Sequence, residues 1–174
     1  DGLTIRLDFT VYHAIIKYNF LLDPVSTYFI LAISVIGFVA AVYSIGYTRL
    51  YVNKCDTRFL GFTYNIFLAS MLLVVTANNA VVFMIVWELM TVVSFFLVIY
   101  EHENPANMKA GFMYLIMAHI GAVLLSVAFF IMFAYTGTWD FGFDDFRKVG
   151  SHMPLIYKNV VFFLVIIGFG IKAG

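Results

Sequence analysis

The chain has 174 residues, 63% of them hydrophobic and only 11% charged, with ten basic side chains against ten acidic ones. A soluble domain carries about 25% charged residues, so this composition excludes an ordinary water-soluble domain and marks an integral membrane protein. Zero net charge gives no basis for binding nucleic acid, and the single cysteine, Cys55, excludes an internal disulfide or a cysteine-held metal cluster and reads as an inert thiol.

The first ten predicted positions, Leu3 to Tyr12, alternate apolar with polar residues. That is the period of a strand. A second run, Ala14 to Leu22, is placed to pair with it as a hairpin on the membrane surface. Asp23-Pro24 opens a helix, because proline suits the first turn and an acid suits the N-terminus; the helix runs to about Tyr47. Arg49, Lys54 and Arg58 crowd the following loop. The second span covers about Arg58 to Ala77, with Asn78-Asn79 as the turn, and the third covers about Val81 to Tyr100. A polar loop, EHENPANMK, separates it from a fourth span at about Ala110 to Tyr135. The stretch from Thr136 to Lys158 holds Trp139, Asp140, Asp144, Asp145, Arg147 and Lys148 and reads as a solvated loop. A last span begins near Leu155.

The chain begins with Asp1-Gly2, without a signal-like apolar segment, and ends inside the twelve-residue apolar run Val160 to Ile171 followed by Lys172-Ala173-Gly174. A span needs about 20 residues. The expectation is therefore a piece of a longer protein. Residues 1–22 form an extracytoplasmic hairpin segment, and residues 23–174 form a transmembrane domain cut within its last helix. The expected fold class is all-α, a polytopic bundle of about five helices with a short N-terminal β-hairpin. Basic residues split four against five between the two sides. The three packed into the loop after the first helix favour that loop as cytoplasmic.

Only Glu88 and Lys172, of opposite sign, fall well inside apolar spans. A charge at mid-membrane costs roughly 2.5–3.5 kcal/mol on insertion scales, and such residues face a bundle interior or wet cavity and mark ion or proton paths. The alternative is a helix–helix hydrogen bond without further role. Thr91, one turn from Glu88, is placed either to support it by hydrogen bonding or to pack as a small residue. Trp87 is expected against lipid or another helix. His119, mid-span in the fourth helix, suits a proton relay or a neutral cross-helix hydrogen bond. Gly111, Ala118 and Ala122 recur at helical spacing as a close-packing face. Gly168 and Gly170, just before Lys172, mark close packing or a helix break lining a cavity; they lack the strand–helix context of a phosphate-binding loop.

The segments FLASMLLVVTANNAVVFMIVWELMTVVSFFLV, AGFMYLIMAHIGAVLL and GFGIKAG resemble the antiporter-like proton-pumping subunits of respiratory complex I, multi-subunit sodium/proton antiporters and membrane-bound nickel–iron hydrogenases. WELMTVVSFFLV, YLIMAHIGA and TWDFGFDDFRK look most like the hydrogenase branch, including formate hydrogenlyase and hydrogenase-4 types. The resemblance covers about Leu22 to Gly174. It implies a fold of about fourteen helices with two inverted five-helix repeats, of which this stretch is the third to seventh. It also implies that Glu88 pairs with Lys172 in a broken helix to gate proton transfer, with His119 near the same axis. No cofactor is implied in this chain. A nickel–iron centre and iron–sulfur clusters are implied in partner subunits, alongside further membrane and peripheral redox subunits, with protons or sodium ions as the cargo.

Overall fold

The computed structural model describes residues 4–10, 17–50, 56–137 and 141–173. Lys54, Cys55, Trp139, Asp140 and Gly174 lie outside them. Strands β1 (Ile5–Thr10) and β2 (Lys17–Leu22) pair antiparallel, from Ile5 opposite Leu22 to Thr10 opposite Lys17. Among the described residues six α-helices follow: α1 (Pro24–Tyr47), α2 (Thr57–Thr76), α3 (Ala80–Val98), α4 (Pro105–Ala134), α5 (Phe143–His152) and α6 (Leu155–Ala173). All but α5 are long and apolar enough to cross a membrane. The protein is an all-α, multi-pass membrane bundle with a small surface hairpin.

The starts of α1, α2, α3 and α4 are set by side-chain caps. Asp23 Oδ1 accepts from Ser26 N at 2.6 Å ahead of Pro24. Asn104 Oδ1 accepts from Ala106 N at 3.0 Å ahead of Pro105. These caps satisfy backbone N–H groups that have no partner within the helix. The Asn104–Pro105 start puts the polar PANMK segment inside α4, so α4 begins five residues before its expected Ala110.

The turn between α2 and α3 is gripped from two sides. Asn78 N donates to Asn19 O of β2 at 2.9 Å, and Ala80 N donates to Phe141 O at 2.8 Å. Asn79 is almost fully buried and caps α3 through Val81 N at 2.9 Å. The hairpin, this turn and the segment entering α5 therefore lie together at one end of the bundle. Arg6 of β1 forms an ion pair with Asp144 of α5.

The expected loop at 136–158 is corrected: its middle is helix α5. Phe143, Phe146 and Val149 recur three residues apart and form an apolar stripe, with Phe146 and Val149 buried. The Phe143 and Phe146 rings pack on Phe129 of α4 at 5.9 and 6.0 Å. The charges lie on the outer side, with Lys148 bonded to Asp145 at 3.1 Å. A helix that is apolar on one stripe and charged opposite lies on a surface.

Of the two readings of Gly168 and Gly170, the break implied by the resemblance is not present, because α6 runs unbroken from Leu155 to Ala173. Gly168 serves close packing instead. A Cβ there would sit 2.9 Å from Leu125 Cγ and 3.0 Å from Gly121 O. Leu125, Ala128 and Ala118 are buried on α4, so α4 and α6 meet along a small-residue seam. Gly111, at the other end of α4, lies against Ile99 and Phe95 of the α3 end. Helix α1 is peripheral: Gly37 is its buried residue, facing Leu68, and Tyr64 OH donates to Gly37 O at 2.7 Å.

Candidate functional site

Polar side chains converge in the middle of the bundle, where α3, α4 and α6 meet. Glu88 sits halfway along α3, and its Oε2 lies 3.3 Å from His119 Nε2 of α4. His119 Nδ1 lies 2.8 Å from Leu115 O. A carbonyl oxygen only accepts, so Nδ1 carries a hydrogen. Nε2 is then the ring nitrogen that faces the Glu88 carboxyl. Glu88 Oε1 is buried without a hydrogen-bond partner, as is Trp87 Nε1 beside it. Buried polar atoms of this kind cost about 1–3 kcal/mol each unless something satisfies them.

Lys172, near the end of α6, reaches the same region from another side. Its Nζ donates to Thr91 Oγ1 and, at 3.3 Å, to Tyr114 OH. It also lies 5.5 Å from the Trp87 ring centre and 5.4 Å from that of Tyr114. That is cation–π range. Thr91 is fully buried. Trp87 packs on Phe83 at 5.1 Å and on Phe169 of α6 at 5.5 Å, so it faces a neighbouring helix.

The structure thus brings all four expected residues into one cluster, with a different pairing. Glu88 meets His119, Lys172 meets Thr91, and Glu88 and Lys172 form no direct ion pair. Both charges contact the α3 turn that spans residues 87–91. The unbroken α6 delivers the lysine. Two members were missed by sequence reasoning, Tyr114 and Ser94, whose hydroxyls lie 2.6 Å apart. Ser94 stands three residues beyond Thr91, the spacing that puts both on one helix face. That spacing was the available signal.

His119 is half exposed at its side chain, on an outer face of α4. Leu115, Ile116, Ile120, Val123 and Leu124 surround it there and line an open groove of about 570 Å³. One end of the polar cluster is therefore exposed, and the Lys172 head lies against side chains of α3 and α4.

The fold defines a multi-pass membrane helix bundle with an acid, a histidine and a lysine in its apolar spans. The chain is a member of the NADH:quinone oxidoreductase/Mrp antiporter transmembrane family, which matches residues 77–174. Hydrogenase-4 component B of Escherichia coli (strain K12) is 37% identical over 153 residues, covering 88% of this chain and 22% of that protein. Formate hydrogenlyase subunit 3 of the same organism is 25% identical over 161 residues, covering 92% of this chain and 24% of that protein. Among solved structures, one chain of the membrane-bound sulfane sulfur reductase, an archaeal respiratory membrane complex, superposes with a TM-score of 0.76. It shares 26% identity and covers 98% of this chain and 26% of its own. The chain thus spans about a quarter or less of the length of these relatives.

Proposed function

We infer that this chain is part of a proton-translocating, antiporter-like membrane subunit of a redox-driven complex, of the membrane-bound nickel–iron hydrogenase or formate hydrogenlyase type. The observation that carries the reading is the cluster itself. Glu88, His119, Thr91 and Lys172 converge in an otherwise apolar bundle, with the Glu88 carboxyl 3.3 Å from His119 Nε2. An acid and a base that each keep a separate partner, one helical turn apart, suit stepwise proton transfer. Lys172 and Glu88 are the gating pair in this reading, and exchange of partners is what moves the proton. The branch is supported by similarity to hydrogenase-4 component B and formate hydrogenlyase subunit 3. The nickel–iron centre and iron–sulfur clusters belong to partner subunits, which supply the redox chemistry.

A sodium/proton antiporter subunit is the second reading, favoured by the match to a family that includes Mrp antiporters. Purification of the tagged full-length protein from gently solubilised native membranes separates the two. Co-purifying nickel and iron with hydrogen-dependent dye reduction supports the first. Sodium/proton exchange in vesicles without redox metal supports the second and overturns the choice of branch.

A further inference from the structure

Hydrogen-bond directions around Lys172 are fixed by its neighbours' chemistry. Ser94 Oγ lies 2.9 Å from Thr91 O. A carbonyl has no hydrogen to give, so Ser94 donates there. With its one hydrogen spent, the Ser94 oxygen only accepts across its 2.6 Å contact with Tyr114. Tyr114 therefore donates to Ser94, and its oxygen is left to accept from Lys172 Nζ at 3.3 Å. Thr91 is in the same condition: its hydroxyl donates to Trp87 O at 3.0 Å and accepts from Lys172. Two hydroxyl oxygens, each with its hydrogen committed elsewhere, and two ring faces surround the lysine head. The cage receives N–H donors and offers none. Neither Tyr114 nor Ser94 touches Glu88 or His119 through any of these bonds.

Resting on the proton-path reading, we propose that Tyr114, with its hydroxyl held by Ser94, is a positioning residue that docks Lys172 against α3 and apart from Glu88. The dock is a competing partner for the lysine, as His119 is for the carboxylate. Direct Glu88–Lys172 pairing then requires Lys172 to leave Tyr114 and Thr91. Because Ser94 lies on α3 and Tyr114 on α4, the dock also sets its own position by the α3–α4 packing. Any change in that packing is felt at the lysine head. The charged and titratable groups around the dock are Glu88 of α3, His119 and Tyr114 of α4, and Lys172 itself on α6.

The test uses the full-length protein in its assembled complex, reconstituted into vesicles, with the pH profile of proton translocation as the readout. Tyr114→Phe keeps the ring and removes the acceptor; Ser94→Ala frees the tyrosine hydroxyl; Lys172→Met is the reference. A hydrogen bond to a charged group is worth enough to move a titration midpoint by about one pH unit. The expected result is a Tyr114→Phe profile displaced by about that much, a smaller displacement of the same sign for Ser94→Ala, and no translocation with Lys172→Met. Unmoved midpoints in both hydroxyl variants, with Lys172→Met inactive, overturn the dock and leave the proton path standing. A lower yield of complex at an unchanged midpoint means a structural hydroxyl and also overturns it. Normal translocation by Lys172→Met overturns the proton-path reading and the dock together. Should Tyr114→Phe fail to assemble, the midpoint of Ser94→Ala decides.

Discussion

Gly121→Ala tests how tightly the α4–α6 seam positions Lys172. A Cβ at Gly121 would stand 2.8 Å from Gly168 O, a backbone atom that cannot rotate away. Ordinary contact begins near 3.4 Å, so α6 must move out by about 0.6 Å, with the overpacking cost of about 1–3 kcal/mol seen in well-packed interiors. Lys172 lies one helical turn beyond Gly168. Transmitted in full, a shift of about 0.6 Å takes the 3.3 Å contact between Lys172 and Tyr114 to about 3.9 Å, past hydrogen-bond range. Gly121→Ala should therefore lower both the thermal midpoint in detergent and proton translocation in vesicles. Gly170→Ala is the control, since nothing lies within 4 Å of a Cβ there; it should leave both unchanged. If the two variants behave alike, the seam does not hold the lysine and the reasoning fails.

Removing the buried cap by Asn79→Ala should cost about 1–2 kcal/mol, read as a lower melting temperature with little change in helix content, because Val81 N and Val82 N lose their acceptor. Arg6→Ala breaks a half-exposed pair with Asp144 and should cost less than about 1 kcal/mol, a difference that vanishes in high salt. The backbone N–H of Ser26 holds the Asp23 carboxyl below its ordinary 3.8. Its contribution to stability is therefore complete above that value and drains away as pH falls through the lower, folded value. An Asp23→Asn variant should show a flatter acid limb in a denaturation series across pH.

The spans were legible because length and hydropathy alone distinguish a membrane helix, and the hairpin because Leu3 to Tyr12 alternate. The start of α1 after Asp23 followed from cap chemistry. Helix α5 was hidden by its own charges. Asp144, Asp145, Arg147 and Lys148 read as solvated, while Phe143, Phe146 and Val149 between them carried the helical period. The four cluster residues were legible as charged or polar groups in apolar runs. Their pairing was not, because it depends on how far α3, α4 and α6 are rotated and slid against one another. No single helix encodes that: the Gly121–Gly168 contact sets it between two of them. Tyr114 escaped notice because a lone tyrosine in a membrane helix looks like any aromatic until its hydroxyl partners are known. The glycines before Lys172 allowed either packing or a break, and only the neighbouring backbone decides which.

Acidification of vesicles holding the assembled complex, followed while the partner subunits turn over, tests the central claim most directly. With Glu88→Gln in place, the carboxylate facing His119 is gone and the volume is kept. Redox turnover should persist while the pH gradient is lost. A gradient equal to that of the unaltered complex, at equal turnover and full assembly, would contradict a proton path through this cluster and leave it holding helices together.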